Sequence, residues 1–340
     1  MRRFTRWLAV GSAATVLAAC GGDNGGRESG AGPGIDSLGP QTSSGTEDGS
    51  GPATSMGPGP GSATGDSTAG TTEQPTTGFN PSFDLGILPD LPIPEDGCTK
   101  VDFLFTIDNS GSMAGDQTNL VNNFPAFING IQTVLETVDE YQVGVITTDT
   151  YGFNVGGCQQ LSSLVVQTGG SNSSNSVCGP YAAGRNFMTE ADDLAMEFTC
   201  AADVGTSGSA TERPMQATVE AVQRVQGGAG QCNEDFLRDD SLLVIVIITD
   251  EPGDSPGSPA SWFNDIVAAR SGIEENIAVV SLINTPGGSC GGSTANEISS
   301  FTNMFTNGFE ADVCTPDYGP VFQQAIGIIE EACNNFTPPG

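Results

Sequence analysis

The stretch VDFLFTIDNSGSM, residues 101–113, decides the architecture. Its first seven residues read as a continuous apolar run, which a strand covered on both faces requires. The run stops at Asp108, and two hydroxyls follow at a spacing of two, Ser110 and Ser112. Three more runs share this character: YQVGVIT (141–147), LLVIVIIT (242–249) and IAVVSLI (277–283). Helical spacing fills the intervals. Residues 114–138 place Leu120, Phe124, Phe127, Ile128, Ile131, Leu135 and Val138 three and four apart, and Pro125 is expected to kink or restart that helix. Further helices are expected near 211–226, 259–271, 295–304 and 319–333. Residues 150–190 are a Gly/Ser/Asn-rich insertion around SSLVVQ, expected to hold a short edge strand and a long loop. Strands alternating with helices predict an α/β fold, a doubly wound, mostly parallel sheet with helices on both faces. Ligands of such sheets sit outside the carboxyl ends of the strands, where the winding reverses. Asp108 ends the first strand and Asp250 ends LLVIVIIT. If those strands are neighbours, the two carboxylates face each other across that crevice.

A carboxylate and two hydroxyls are hard oxygen donors, suited to Mg2+, Mn2+ or Ca2+. A loop leaving a strand can aim alternate residues into one concavity, and Gly111 lets the backbone turn tightly there. The DxSxS pattern of Asp108, Ser110 and Ser112, with the later Thr249-Asp250, resembles the von Willebrand factor type A (VWA) domain and its metal-ion-dependent adhesion site. The resemblance covers about 98–335. It implies a Rossmann-like fold and a divalent cation, Mg2+ or else Mn2+ or Ca2+, held by Asp108, Ser110, Ser112 and Asp250. It implies a protein partner whose acidic side chain completes the coordination. The family also places a Thr on a middle loop before a helix. In VGTSGSATERPM (204–215) the position matches Ser209, while residue type favours Thr211 or Thr206. Ser209 to Glu212 also reads as a capping box that merely starts a helix. Asp149 ends the second strand and could rim the same crevice. Glu251 and Asp254 suggest a second, calcium-like site or solvated loops. Asp239 and Asp240 read as bounding a strand, and Trp262 as core.

The N-terminus bears on the compartment. Arg2, Arg3 and Arg6 precede the apolar stretch 7–19, which ends in Leu17-Ala18-Ala19-Cys20. This is too short for a spanning helix and resembles a bacterial lipoprotein signal with Cys20 as the lipid-modified residue. More than one acyl chain there would anchor the protein stably. Of residues 21–80, 40 of 60 are Gly, Ser, Thr or Pro, too few apolar groups to offset chain entropy. The expected organisation is a signal peptide (1–19), lipidated Cys20 with a disordered linker (20–97), a VWA-like domain (98–336) and a tail (337–340). Residues 82–94 are expected either as an extended strap on the domain or as the linker's end. Gly21 lacks the Asp that holds many lipoproteins at the inner membrane, so an outer-membrane or cell-surface location is expected.

Composition excludes much chemistry. Loss of 1–19 leaves seven basic residues against 41 acidic, a net charge of −34. Such a chain repels phosphate backbones, so nucleic acid is not an expected partner, and membrane contact is expected only through the anchor. With no histidine, Ser-His-Asp and Cys-His catalysis and His-ligated zinc are ruled out. Besides Cys20, eight cysteines remain: Cys98, Cys158, Cys178, Cys200, Cys232, Cys290, Cys314 and Cys333. None forms a CxxC pair, and an even number in an exported chain predicts four disulfides. Local pairing would join Cys158–Cys178, Cys200–Cys232 and Cys290–Cys314, with Cys98–Cys333 clasping the domain ends. An enzyme is not expected. A haloacid-dehalogenase-type hydrolase would need a second Asp where Ser110 stands. A structural surface protein with a silent metal site is the other alternative.

Overall fold

The computed structural model describes residues 97–135 and 138–339. The leader, Cys20, the linker and the 82–94 strap lie outside the described residues. The element order is β1 (Lys100–Ile107), α1 (Ala114–Leu135), β2 (Glu140–Thr147), α2 (Leu194–Ala202), α3 (Pro214–Val222), β3 (Leu242–Thr249), α4 (Pro259–Ala269), β4 (Ile277–Ile283), α5 (Asn296–Thr302), β5 (Asn307–Asp312) and α6 (Gly319–Asn334). The five strands form one sheet in the order β2-β1-β3-β4-β5, and every pairing is parallel. The doubly wound α/β architecture expected from the apolar runs is therefore the one observed. The chain winds from β1 outward to β2, then returns past β1 to β3, so the winding reverses between β1 and β3.

Strands β1 to β4 are covered on both faces, which is why their sequences are mostly apolar throughout. One core joins Phe103, Phe105, Ile107, Val244 and Val246 to side chains of α1, α2 and α6. The other joins Leu104, Ile245, Ile247 and Val279 to α3, α4 and α5. Within β1 the alternation sets Asp102, Leu104, Thr106 and Asp108 on the α3 side. Thr106 and Thr218 of α3 share a buried hydroxyl hydrogen bond of 2.8 Å. That contact fixes the height of α3 on the sheet.

The differences from expectation have local causes. Helix α1 runs through Pro125 without a restart. The helix expected at 211–226 is shorter, because Pro214 occupies its first turn and Arg213 is its N-cap. The SSLVVQ segment is not a strand of the sheet. It still covers the β2 edge, with Val165 N–H donating to Val145 O at 2.8 Å and Val143 and Met188 exchanging backbone hydrogen bonds of 2.9 Å. This closes an edge that would otherwise invite pairing. Two elements were not expected. Helix α2 follows directly after the polar insertion, started by Asp193, whose side chain accepts from Met196 N. It seats Phe198 against Phe105, ring centroids 4.5 Å apart. Strand β5, NGFEAD, is an edge strand with only Asn307 fully buried, so it lacks the apolar signature.

Four disulfides are formed: Cys98–Cys333, Cys158–Cys232, Cys178–Cys200 and Cys290–Cys314. The first and last follow the expected pairing. The middle two correct it, because α2 carries Cys200 back to Cys178 while Cys158 reaches the 228–236 turn. Four bridges indicate maturation in an oxidising environment. No helix among the described residues is long and apolar enough to cross a membrane.

Helix α2 also carries a perturbed acid. Asp192 accepts from Ala182 N at 2.6 Å and Thr189 N at 2.7 Å, which fixes its carboxylate beside α2. Burial first, then contact with Asp192 and the charges of Asp192 and Asp193, push the Glu197 carboxyl from 4.5 to about 7. A raised acid costs stability where the unfolded chain has already lost the proton. This contribution is therefore absent below pH 4.5 and grows to its full size as pH rises to about 7. Glu197→Gln is expected to flatten the fall of melting temperature across that window. Parallel pH profiles for the two proteins would refute this.

Candidate metal centre

Ile107 of β1 pairs with Ile248 of β3, so Asp108 emerges beside Thr249 and Asp250 at the point where the winding reverses. Asp108 is fully buried. Its N–H donates to Ile248 O at 2.9 Å. Its Oδ1 accepts from Ser110 N at 2.8 Å, and its Oδ2 accepts from Thr249 Oγ1 at 2.6 Å. Gln117, in the first turns of α1, donates to Asp108 O at 2.9 Å. The DNSGS loop therefore turns back on itself and brings its two hydroxyls together. The Ser110 and Ser112 hydroxyls share a hydrogen bond of 2.8 Å, and Ser112 Oγ donates to Asp250 Oδ1 at 3.1 Å. Asp108, Ser110, Ser112 and Asp250 are thus brought together at two neighbouring strand ends.

The middle loop behaves differently from expectation. Ser209 and Thr211 are both exposed. The Ser209 hydroxyl accepts from Thr211 N at 3.0 Å, and Ser209 N donates to Asp149 Oδ2 at 2.6 Å. Among the described residues no hydrogen bond carries either hydroxyl to the Asp108 cluster. The capping box read over Ser209–Glu212 is not formed, since α3 starts only at Pro214. Thr206 is likewise turned away, accepting from Asn172 Nδ2 at 2.9 Å. Asp149 sits against Asn109, the residue between Asp108 and Ser110. It is buried, accepts from Asn109 Nδ2 at 3.2 Å as well as from Ser209 N, and ties the loops together.

The loop residue that does reach the cluster is Glu212, which the sequence reading treated only as part of a cap. It is 2% exposed, its buried Oε2 has no hydrogen-bond partner, and Asp108 is the strongest charge acting on it. Pro214 was the available signal. A helix beginning at proline leaves the residue two positions earlier in the loop, because the position before proline avoids helical geometry. Direction explains the meeting. From Thr106 to Asp108 the strand climbs roughly 7 Å, and from Thr218 back to Glu212 the opposing helix and its lead-in climb the same way.

The electrostatics are those of crowded like charges. Burial first, then the Asp108 charge and contact, raise the Glu212 carboxyl from 4.5 to about 9. Burial first, then Asp108, raise Asp250 from 3.8 to about 6, against the lowering effect of Ser112. None of the ion pairs among the described residues reaches this cluster. A divalent cation supplies the charge and the electron-pair acceptor that these oxygens lack, so the donor set fits one.

A second grouping does not fit. Cys290, Asp312 and Cys314 have ligand atoms within 4.8 Å of one another and are the one such trio among the described residues. Cys290 and Cys314 are joined in a disulfide, and a metal needs thiolates. Burial opposes it, yet hydrogen bonds from Ser289 and Cys314 N hold Asp312 below its usual range, so it is a satisfied loop anchor. The carboxylates at the strand ends are spread more widely than that trio. Asp108, Ser110, Ser112 and Asp250 would hold a divalent ion there, through hard oxygen donors. Glu251 and Asp254 gather no such group around them.

No protein-family model matches the chain, and no curated protein matches it. Among solved structures it is similar to proximal thread matrix protein 1 from the mussel byssus, at 10% identity and a TM-score of 0.40, over 68% of this chain and 49% of that one. A structure of the same mussel protein with a zinc-occupied MIDAS motif matches at 10% identity and a TM-score of 0.39, over 68% and 48%. This chain spans about half the length of those it matches.

Proposed function

We propose that this protein is a divalent-metal-dependent protein-binding module of the VWA type, with no catalytic activity, held at a bacterial cell envelope through Cys20. The observation that carries the reading is the unbroken contact from Asp108 through Ser110 and Ser112 to Asp250, at the reversal point of a parallel sheet. Asp108, Ser110, Ser112 and Asp250 would hold Mg2+, or Mn2+ or Ca2+, and the bound ion supplies an electrophilic position for an outside oxygen. A pocket of about 390 Å3 opens beside Ser112 and Asp250, walled by Pro252 and by Gly291, Gly292 and Ser293. A partner's acidic side chain would take the ion's free position while its neighbours enter this pocket. The Cys290–Cys314 bridge anchors the loop that forms the far wall.

Thermal unfolding with Mg2+ against EDTA tests the metal. A ligand at 100 times its Kd adds about 2.7 kcal/mol, which raises the melting temperature by roughly 5–10 °C for a domain of this size. Capture of a partner should follow the same switch and be competed by free carboxylate peptides. Identical melting and capture with Mg2+ and with EDTA would remove the reading and favour a structural surface domain. Turnover of phosphoesters would instead favour a hydrolase.

A further inference from the structure

We infer that Glu212 is itself a ligand of the cation, a carboxylate standing where the resemblance called for a loop hydroxyl; this rests on the metal-site reading above. Ser209 and Thr211 are exposed and bonded to each other, while Glu212 is 2% exposed with its Oε2 unpartnered, in a loop tied by backbone hydrogen bonds to Asn109, the residue after Asp108, and to Thr148. A carboxyl buried with one oxygen unpartnered destabilises the fold unless something compensates it. Here the neighbouring side chains make the cost larger, because Asp108 and Asp250 are also acids. The backbone around Glu212 is pinned rather than free to relieve the crowding. Gly208 N donates to Asn109 O and Arg213 N to Thr148 O, each at 2.7 Å, and Asp254 N donates to Glu212 O. Gly208 lies so close to Asn109 that a Cβ would come within 2.6 Å of its carbonyl. The fold thus holds an acid against an acid with no cationic side chain between them. A bound cation resolves the conflict, with Glu212 and Asp108 sharing it.

A third carboxylate changes what the site prefers. The ion faces three negative charges instead of two, so affinity rises and cations with more charge or more coordination positions gain most. Calorimetry on the whole protein with Mg2+, Ca2+ and Tb3+ tests this, using Glu212→Gln, Glu212→Asp and Asp108→Asn. Glu212→Gln is expected to lose at least about tenfold in affinity, most for Tb3+, and Glu212→Asp to recover part of it. Metal-free Glu212→Gln is expected to melt at or above the wild-type temperature, since a buried acid beside Asp108 is replaced by a neutral amide. Glu212→Gln that binds all three ions like wild type, while Asp108→Asn does not, overturns the inference and leaves the metal site standing. Metal-free Glu212→Gln that melts well below wild type assigns Glu212 to the scaffold and also overturns it. No loss in either variant takes down the metal-site reading itself.

Discussion

Asp108→Ala is expected to lower the affinity for Mg2+ by at least about 100-fold and to end metal-dependent partner capture, while the protein still folds. Substituting groups that merely orient a ligand costs roughly 10–100-fold in metal affinity. Asp108 does more, since it is the acid on which the cluster is built and both of its oxygens are positioned by neighbours. The fold survives because two effects oppose. Ser110 N–H and the Thr249 hydroxyl lose an acceptor, which costs about 1–3 kcal/mol each if left unpaired. Against this, Glu212 and Asp250 lose the charge that holds their protons on. Circular dichroism and calorimetry on the same sample separate the two. A well-folded variant that binds Mg2+ as the wild type does would sink the metal-site reading.

The second large effect lies at the opposite end of the same strand. Asp102 is fully buried in β1. It accepts from Arg238 N at 2.5 Å, from Arg238 Nε and Nη2 at 3.0 and 2.7 Å, and from Ser241 Oγ at 2.6 Å. Arg238 also reaches Glu140 Oε2 at 2.7 Å, so one cation ties β1, β2 and the lead-in to β3. Removing one member of a buried pair strands the other, at about 3–5 kcal/mol. Asp102→Ala is expected to lose that much in urea titration. Its Mg2+ affinity should be unchanged, because five strand residues, a rise of roughly 20 Å, separate it from Asp108. A loss below about 1 kcal/mol would show that Glu140 suffices to hold Arg238.

These two aspartates mark the limit of legibility. β1, β2, β3 and β4 could be read because a strand buried on both faces must be apolar throughout, and that property is local. Asp108, Ser110, Ser112 and Asp250 could be read because a spacing of two at a strand end is local as well. Asp102 sat unnoticed inside an apolar run, since its justification is Arg238, 136 positions away. Glu212 was hidden for the same reason. Its burial depends on the height of α3, set by Thr106 and Thr218, and on loops clamped by Asn109 and Asp149. Helix α2 and strand β5 were missed because one is only nine residues long behind a polar insertion and the other lies at an exposed edge. The swapped middle disulfides follow from the missed helix.

The Cys98–Cys333 bridge has a mechanical consequence. β1 begins two residues after Cys98 and ends one residue before Asp108. Tension between the upstream chain and anything gripped at the site therefore runs lengthwise down a central strand. That strand is paired along its whole length to β2 and along most of it to β3. Such loading is shear, in which the flanking hydrogen bonds resist together instead of unzipping singly. The covalent bridge diverts part of the force into α6, and a reducing agent should lower the rupture force measured by single-molecule pulling.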